Sequence, residues 1–350
     1  MRVAVLGATG NAGSAVLRAL AADSAVDSVL GLARRLPDPT AEPFAGADWA
    51  TFDVGEETSS ATEEDALVDR LAATLAGVDA VVHLAWLIQP NRDRGLLRRA
   101  NVDGTRRVAL AVARAGVAHL VVASSVGAYT PVSDDVPRDE SWPTGGVPTS
   151  HYSVDKAAQE RVLDAFVAAH PEVVVTRLRP SLIFQADAGA EIGRYFLGSL
   201  VPRRLLAPGV LPALPAPRGL RLQVTHADDV ARAYVAAVTH RERAHGAFNV
   251  AADPVLSGDD LARIVDHGRL LELPVGLVRG VLALAYQARL VPTDPGWLDM
   301  GMGAPVMDSS RARADLGWSP VHDAPSVLRA MLEGLAGRRG LASAPMRPEG

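Results

Sequence analysis

The chain has 350 residues, of which 48% are apolar and 21% charged, so it can bury a large core and is not a disordered or collagen-like chain. Cysteine is absent, which excludes disulfides, thiolate nucleophiles and Cys-based zinc sites; it is typical of a reducing compartment, and we expect no metal site. With a net charge of -5 and no basic stripe, nucleic acid is not an expected partner.

Two apolar stretches of the chain have features of membrane or targeting segments. The N-terminal apolar run is interrupted by a glycine-rich turn too early for a secretory signal. Residues 270–292 contain Glu272, Arg279 and Arg289, so we interpret them as an amphipathic helix over a cleft, with contact to a membrane surface as the alternative. We therefore expect a cytoplasmic protein with no membrane partner.

Short apolar runs alternate with amphipathic stretches through the first half of the chain. The pattern predicts strands over 2–6, 28–33, 49–52, 80–84, 119–123 and 173–178, and helices over 12–21, 63–76, 93–115 and 153–170. Strands alternating with helices at this spacing indicate βαβ units, so we predict an α/β fold with a doubly wound parallel Rossmann sheet.

The regular alternation of predicted strands and helices ends after residue 180, and residues 202–217 are rich in proline. We predict a dinucleotide-binding domain over 1–180, to which 221–251 returns with a strand over 246–250. Residues 181–220 and 252–335 would form a smaller C-terminal substrate lobe. Residues 336–350 are rich in Gly, Arg, Pro and Ser, which predicts a flexible tail.

A glycine-rich loop lies directly between the first predicted strand and helix. It reads Gly7-Ala8-Thr9-Gly10-Asn11-Ala12-Gly13. In this position glycines permit a tight turn and a close approach of the backbone to a pyrophosphate, while the helix N-terminus offers free N–H groups. We expect Gly7, Thr9, Gly10, Asn11, Ala12 and Gly13 to bind a dinucleotide; a glycine turn without a ligand is the alternative.

The end of the second strand bears on which dinucleotide is bound. An acid there would bind the ribose hydroxyls, but this chain has Arg34 and Arg35. Guanidinium groups suit a 2′-phosphate, which favours NADP over NAD, although both arginines could simply be solvated. Asp53, after the next strand, would accept a hydrogen bond from the adenine amine or cap the following turn.

Tyr152 and Lys156 lie one helical turn apart, so their side chains project from the same face. Lys156 is the only lysine among the 35 basic residues, and the other 34 are arginine. A compact ammonium fits beneath a cofactor ribose and beside a phenol where a planar guanidinium does not fit in the same way. Because the chain has its single lysine four residues after Tyr152, the spacing of these two residues predicts a catalytic pair.

The predicted chemistry is proton transfer by Tyr152. Tyrosine titrates near 10, and lowering its pKa toward 7 requires about 4 kcal/mol, which adjacent cationic charge would supply. The phenol would give a proton to a carbonyl during hydride transfer, or take one from an alcohol. Ser125 follows the strand over 119–123, at the edge where ligands bind, and its hydroxyl would hold the substrate oxygen; a turn-forming serine is the alternative.

Together these motifs resemble the extended branch of the short-chain dehydrogenase/reductase family, of the NAD-dependent epimerase/dehydratase type, over most of residues 1–335. The resemblance also rests on His83-Leu84-Ala85, on Asn101-Val102-Asp103-Gly104-Thr105, on the serine pair at 124–125 and on Arg177-Leu178-Arg179-Pro180. It implies that Leu84 and Ala85 line the cofactor with Val54 and Ser124, that Asn101 supports the active-site helix beside the cofactor, and that Pro180 to Ile183 border the nicotinamide. It also implies a homodimer.

The departures from the family pattern concern the substrate. Dehydratases of this branch carry Thr-Asp-Glu where this chain has Ser125-Val126-Gly127, which argues against sugar dehydration, and a glycine expected after the Arg-Pro strand is Gln185. Trp86 beside the cofactor loop would form an apolar wall for substrate, or pack in the core. We therefore expect an NAD(P)-dependent reductase or dehydrogenase of a small, partly apolar metabolite. An NAD-dependent sugar-nucleotide epimerase and a non-catalytic NADP-sensing regulator are the alternatives.

Overall fold

The computed structural model describes residues 1–197, 212–265 and 268–348. Its strands, in chain order, are β1 Arg2–Leu6, β2 Ser28–Ala33, β3 Asp48–Thr51, β4 Ala80–His83, β5 His119–Ala123, β6 Val174–Pro180, β7 Leu182–Phe184, β8 Leu214–Pro217, β9 Arg221–Leu222, β10 Val224–His226, β11 Gly246–Val250, β12 Leu256–Ser257 and β13 Leu270–Leu273. Its helices are α1 Asn11–Ala21, α2 Ala61–Thr74, α3 Arg94–Arg98, α4 Gly104–Arg114, α5 His151–Ala169, α6 Gly189–Ile192, α7 Ala227–Thr239, α8 Gly258–Val265, α9 Val275–Gln287, α10 Pro295–Gly303, α11 Ser310–Leu316 and α12 Ala324–Ala336.

Within the described ranges, seven parallel strands form the central sheet in the order β11-β6-β5-β4-β1-β2-β3. The order reverses between β1 and β4, which is the point where open α/β sheets bind their ligands at the carboxyl ends of the strands. The predicted α/β fold with a doubly wound parallel sheet is confirmed.

The alternation of side chains along β1 explains why helices cover both faces of the sheet. Val3 and Val5 pack toward α1 and α7 with residues such as Tyr234. Ala4 and Leu6 point to the opposite face, where α2 and α4 cover them. All four side chains are at most 1% exposed, as expected for a strand buried on both faces.

The long helix predicted over 93–115 is divided in the structure. Asp93 caps its start by accepting a hydrogen bond from the backbone N–H of Leu96 at 3.0 Å. A wider π-helical turn over Arg99–Asp103 then separates α3 from α4. This turn contains Asn101 and places it inside the protein, where it is 1% exposed.

The second half of the chain builds smaller elements around the sheet. Within 221–251, β11 pairs with β6 in the central sheet, whereas β10 pairs with β7 outside it. The segment predicted as one helix over 270–292 contains β13 and α9, and α9 leaves Leu277, Val281 and Leu284 exposed. Parts of the predicted lobe, 198–211 and 266–267, and the last two residues of the predicted tail lie outside the described residues. No helix in the described ranges is both long and apolar enough to cross a membrane.

Candidate active site

The glycine loop after β1 has a geometry that only glycine permits at two positions. Gly7 has φ +84°, and a Cβ there would lie 2.6 Å from the backbone nitrogen of Ala85. A Cβ on Gly13 would collide with the carbonyl oxygen of Gly7. Helix α1 begins after Gly10 without a side-chain cap. The loop therefore forms a cradle at the N-terminus of α1, and its shape fits the pyrophosphate of a dinucleotide.

Gln185, which stands where a glycine was expected, holds this loop in place. Its Nε2 donates to the Asn11 carbonyl oxygen at 2.8 Å and to Asn11 Oδ1 at 2.9 Å. The Asn11 side chain in turn donates to the carbonyl oxygen of Ile183 at 3.0 Å. Asn11 and Ile183, both predicted cofactor residues, are thus joined by direct contacts at the start of α1.

The same cleft continues along the ends of neighbouring strands. It brings together predicted cofactor residues from several segments: Gly7, Thr9, Gly10, Arg34, Arg35, Asp53, Val54, Leu84 and Ala85. Arg34 and Arg35 are exposed at the end of β2, and in the part of the chain described neither has an ion-pair partner. Asp53 Oδ1 accepts from the N–H of Gly55 at 2.9 Å, so it caps the turn, which was one of its two expected roles.

The C-terminal segment and α6 complete this cleft, and the sequence patterns did not indicate either. The hydroxyl of Ser343 donates to the carbonyl oxygen of Thr9 at 2.8 Å, and Met346 is fully buried. Pro345, Glu191 and Tyr195 also line the cleft. Part of the segment over 336–350 that was expected to be flexible, namely residues 343–346, therefore lies against the glycine loop and the start of α1 in the structure.

The catalytic candidates meet at the carboxyl end of β5. Ser150 caps α5 by accepting from the N–H of Ser153, which sets the direction from which Tyr152 enters the site. Tyr152 is hydrogen-bonded to the Ser125 side chain. Lys156 is 2% exposed and donates to the carbonyl oxygen of Ala123 at 2.7 Å. The structure thus brings the three predicted catalytic residues together.

Burial governs the electrostatics of this group. It raises the pKa of Tyr152 to about 12, although the hydrogen bond with Ser125 acts in the opposite direction. Burial also lowers the pKa of Lys156 well below its usual value, and the nearby Glu160 and Asp155 only partly offset this. The sequence predicted a lowered pKa for Tyr152. In the structure, removal from water outweighs the hydrogen bond, so the phenol is protonated at neutral pH.

Aromatic rings surround the Tyr152 side chain. The ring centroid of Trp86 lies 5.8 Å from that of Tyr152, and the centroid of Trp297 lies 4.9 Å from it. Phe196 packs edge-on against Trp297 at 4.9 Å. The Lys156 ammonium lies 3.5 Å from the centroid of the Trp86 ring, a cation–π contact. Trp86 therefore lies at the site as predicted, whereas Trp297 and Phe196 join it from distant segments.

Asn101 and Ser124, two predicted cofactor residues, have protein partners. The Asn101 amide exchanges hydrogen bonds with the backbone of Leu87, accepting at 2.7 Å and donating at 2.9 Å, so it fixes the loop that carries Trp86. The hydroxyl of Ser124 donates to Glu160 at 2.6 Å. Pro180 is buried at the end of β6.

Comparison with known proteins assigns the family. The model of the NAD dependent epimerase/dehydratase family matches residues 3–251. The chain belongs to this family. The match covers the glycine loop, Ser125, Tyr152 and Lys156, and it agrees with the resemblance read from the sequence motifs.

Curated relatives of this family member are distant. An uncharacterized protein of Mycobacterium tuberculosis (strain ATCC 25618 / H37Rv) is 26% identical over 344 residues, which cover 97% of this chain and 31% of that protein. A ceramide reductase of Caulobacter vibrioides (strain NA1000 / CB15N) is 32% identical over 234 residues, which cover 67% of this chain and 60% of that protein. The chain spans about a third of the length of the mycobacterial relatives.

Solved structures of sugar-nucleotide enzymes share the fold of this family member. A dTDP-glucose 4,6-dehydratase from Streptomyces venezuelae with NAD bound has a TM-score of 0.70 and 20% identity, over 99% of this chain and 100% of that one. A UDP-glucose-4-epimerase from Stenotrophomonas maltophila with bound NAD has a TM-score of 0.70 and 20% identity, over 96% of this chain and 98% of that one. At this identity the similarity establishes the fold alone.

Proposed function

We propose that this protein is an NAD(P)-dependent oxidoreductase that reduces a carbonyl, or oxidises a secondary alcohol, of a small and partly apolar metabolite. The observation that carries the proposal is the group formed by Ser125, Tyr152 and Lys156 beside the glycine-loop cleft. The Lys156 Nζ lies 5.9 Å from the centroid of the Tyr152 ring, so the amino group and the phenol are close neighbours.

Each side chain has a role in carbonyl reduction. A dinucleotide held by the glycine loop would supply a hydride for the carbonyl carbon. Ser125 donates a hydrogen bond to the carbonyl oxygen and orients it. Tyr152 gives its hydroxyl proton to that oxygen, which completes the alcohol, and the resulting phenolate is stabilised by Lys156 before it is reprotonated from solvent. Burial raises the pKa of Tyr152 to about 12, so the phenol carries at neutral pH the proton that carbonyl reduction requires.

The walls of the site favour an apolar substrate. Trp86 and Trp297 present ring surfaces to Tyr152, and Phe196 extends this apolar wall by packing on Trp297. The relative named ceramide reductase supports reduction as the reaction class. We expect a ketone with an aliphatic or aromatic substituent to be a better substrate than a sugar nucleotide.

For the cofactor we propose NADP in preference to NAD. The two exposed guanidinium groups of Arg34 and Arg35 at the end of β2, with no acid in their place, support contact with a 2′-phosphate. The structural neighbours named above carry NAD in their own sites.

The test is a turnover assay on purified protein. Protein freed of bound nucleotide is mixed with NADPH or NADH and a panel of apolar ketones and keto sugars, and the loss of absorbance at the nicotinamide band is followed. Stoichiometric oxidation of NADPH with an apolar ketone supports the proposal. Tightly retained NAD with interconversion of a sugar nucleotide and no net cofactor turnover would instead establish an epimerase. Tight NADPH binding without turnover of any carbonyl would favour a sensing regulator.

A further inference from the structure

A buried carboxyl group occupies the end of the helix where a phosphate would bind. Glu191, on α6, is 8% exposed and lines the cleft with Gly7, Thr9 and Gly10. Its carboxyl group lies close to the backbone N–H of Asn11, the first residue of α1. The chain thus places one of its own anionic groups at the helix N-terminus, which has no other side-chain cap.

The second partner of Glu191 comes from the same segment. The Tyr195 hydroxyl lies beside the carboxyl group, and burial together with the charge of Glu191 raises the pKa of that phenol. The charged groups around the pair are Arg194 beside them and Arg35 across the cleft, which acts on Tyr195. The Arg194 guanidinium donates to the carbonyl oxygens of Pro345 and Arg347 in the C-terminal segment.

A pyrophosphate and an ionised Glu191 would oppose each other. A dinucleotide brings two negative charges to the helix N-terminus, and like charges a few ångströms apart in a partly dry site repel each other strongly. A neutral carboxylic acid removes the repulsion and adds a hydrogen-bond donor for a phosphate oxygen. Burial raises the pKa of Glu191 to about 7, so in neutral solution this group exchanges its proton readily.

We infer that Glu191 is a dinucleotide-binding residue that takes up a proton when the dinucleotide binds and holds a phosphate oxygen as a neutral acid. This inference rests on the proposed function, because it assumes that the cleft binds NAD(P). The proton comes from solvent, and no bond to carbon is made or broken. Above the pKa of Glu191, binding has to include protonation, so affinity falls as pH rises.

The experiment measures dinucleotide dissociation constants by titration of the intact protein between pH 6.5 and 9, with NADH and NADPH separately. NADH lacks the 2′-phosphate, whose own titration would otherwise add to the signal. For the wild type we expect Kd to rise about tenfold per pH unit above pH 7. Calorimetry in two buffers of different ionisation enthalpy should show the uptake of close to one proton per site at pH 8.

Glu191→Gln is the decisive variant, because its amide keeps both an acceptor and a donor without a titratable proton. Its Kd should be nearly independent of pH, and at pH 8.5 it should bind NADH more tightly than the wild type, by roughly tenfold. Tyr195→Phe removes the hydroxyl that stabilises the carboxylate, so the pKa of Glu191 should rise. The affinity of this variant for NADH should therefore begin to fall at a higher pH than that of the wild type. The control is Glu242→Gln, an exposed acid that precedes β11 at the opposite edge of the sheet and should behave as wild type.

Two results would overturn the inference and are distinguishable. The same pH dependence in wild type and Glu191→Gln, or no proton uptake, would remove the role of Glu191 while leaving dinucleotide binding intact. Failure of the wild type to bind either dinucleotide at any pH would overturn this inference together with the proposed function.

Discussion

Replacing Tyr152 by Phe removes one oxygen atom from the centre of the proposed site. We expect kcat for carbonyl reduction to fall roughly 10²–10⁴-fold, the usual contribution of a positioned general acid, which corresponds to about 3–5 kcal/mol in the activation barrier. Dinucleotide binding should change by less than about twofold, because the cleft is lined by the glycine loop and by residues at strand ends, and within the described residues its lining contains no residue of α5.

The structure also limits the effect of this change on stability. The phenylalanine ring keeps its contacts with Trp86 and Trp297, whose centroids lie 5.8 and 4.9 Å away. Ser125 Oγ loses one partner but still accepts from the N–H of Gly127 at 3.0 Å. The free energy of unfolding should therefore change by about 1 kcal/mol or less. A large loss of activity in a protein of unchanged stability would assign the effect to chemistry.

The assay combines steady-state reduction of the best ketone, a titration with NADPH and urea unfolding. Tyr234→Phe is the matched control: Tyr234 is fully buried on α7, and within the described residues its hydroxyl has no hydrogen-bond partner. This variant should keep wild-type kcat. A Tyr152→Phe enzyme that retains kcat within threefold of the wild type would refute the assignment of Tyr152 as the proton donor.

Three further predictions concern the cleft. Changing both Arg34 and Arg35 to Ala should weaken NADPH binding by roughly 10–100-fold and NADH binding by much less. The reason is that only NADPH has a 2′-phosphate that would lose charge-assisted hydrogen bonds to the two guanidinium groups. Equal losses of affinity in titrations with the two nucleotides would contradict the NADP preference. Glu191 has a folded pKa of about 7, above its ordinary value of 4.5, so its stabilising contribution is complete below pH 4.5 and is lost as pH rises through 7. Thermal unfolding should accordingly show that, as pH rises from 4.5 to 8, the free energy of unfolding of Glu191→Gln increases by up to about 3 kcal/mol relative to that of the wild type. Parallel pH profiles of the two proteins would count against this burial effect. Gly13→Ala should destabilise the protein by about 1–3 kcal/mol and abolish dinucleotide binding, because the new Cβ collides with the Gly7 carbonyl; urea unfolding at wild-type stability would show that the loop is less constrained than the structure indicates.

Local features of the sequence were sufficient to predict the sheet and most of the catalytic group. The short apolar run of β1, followed at once by the glycine loop and α1, predicted the nucleotide cradle, because these elements are contiguous in the chain. The four-residue spacing of Tyr152 and Lys156 predicted that they share one helix face. Both inferences depend only on the periods of strand and helix.

The remaining parts of the site depend on contacts between distant segments. Glu191 reaches the N–H of Asn11, Trp297 packs on Tyr152, and Ser343 reaches Thr9, and no local pattern relates the members of these pairs. The spacing of Tyr152 and Lys156 predicted their proximity but gave the wrong direction for the pKa of Tyr152. A pKa depends on how much water the fold removes, and that is decided by all the segments that pack around the group.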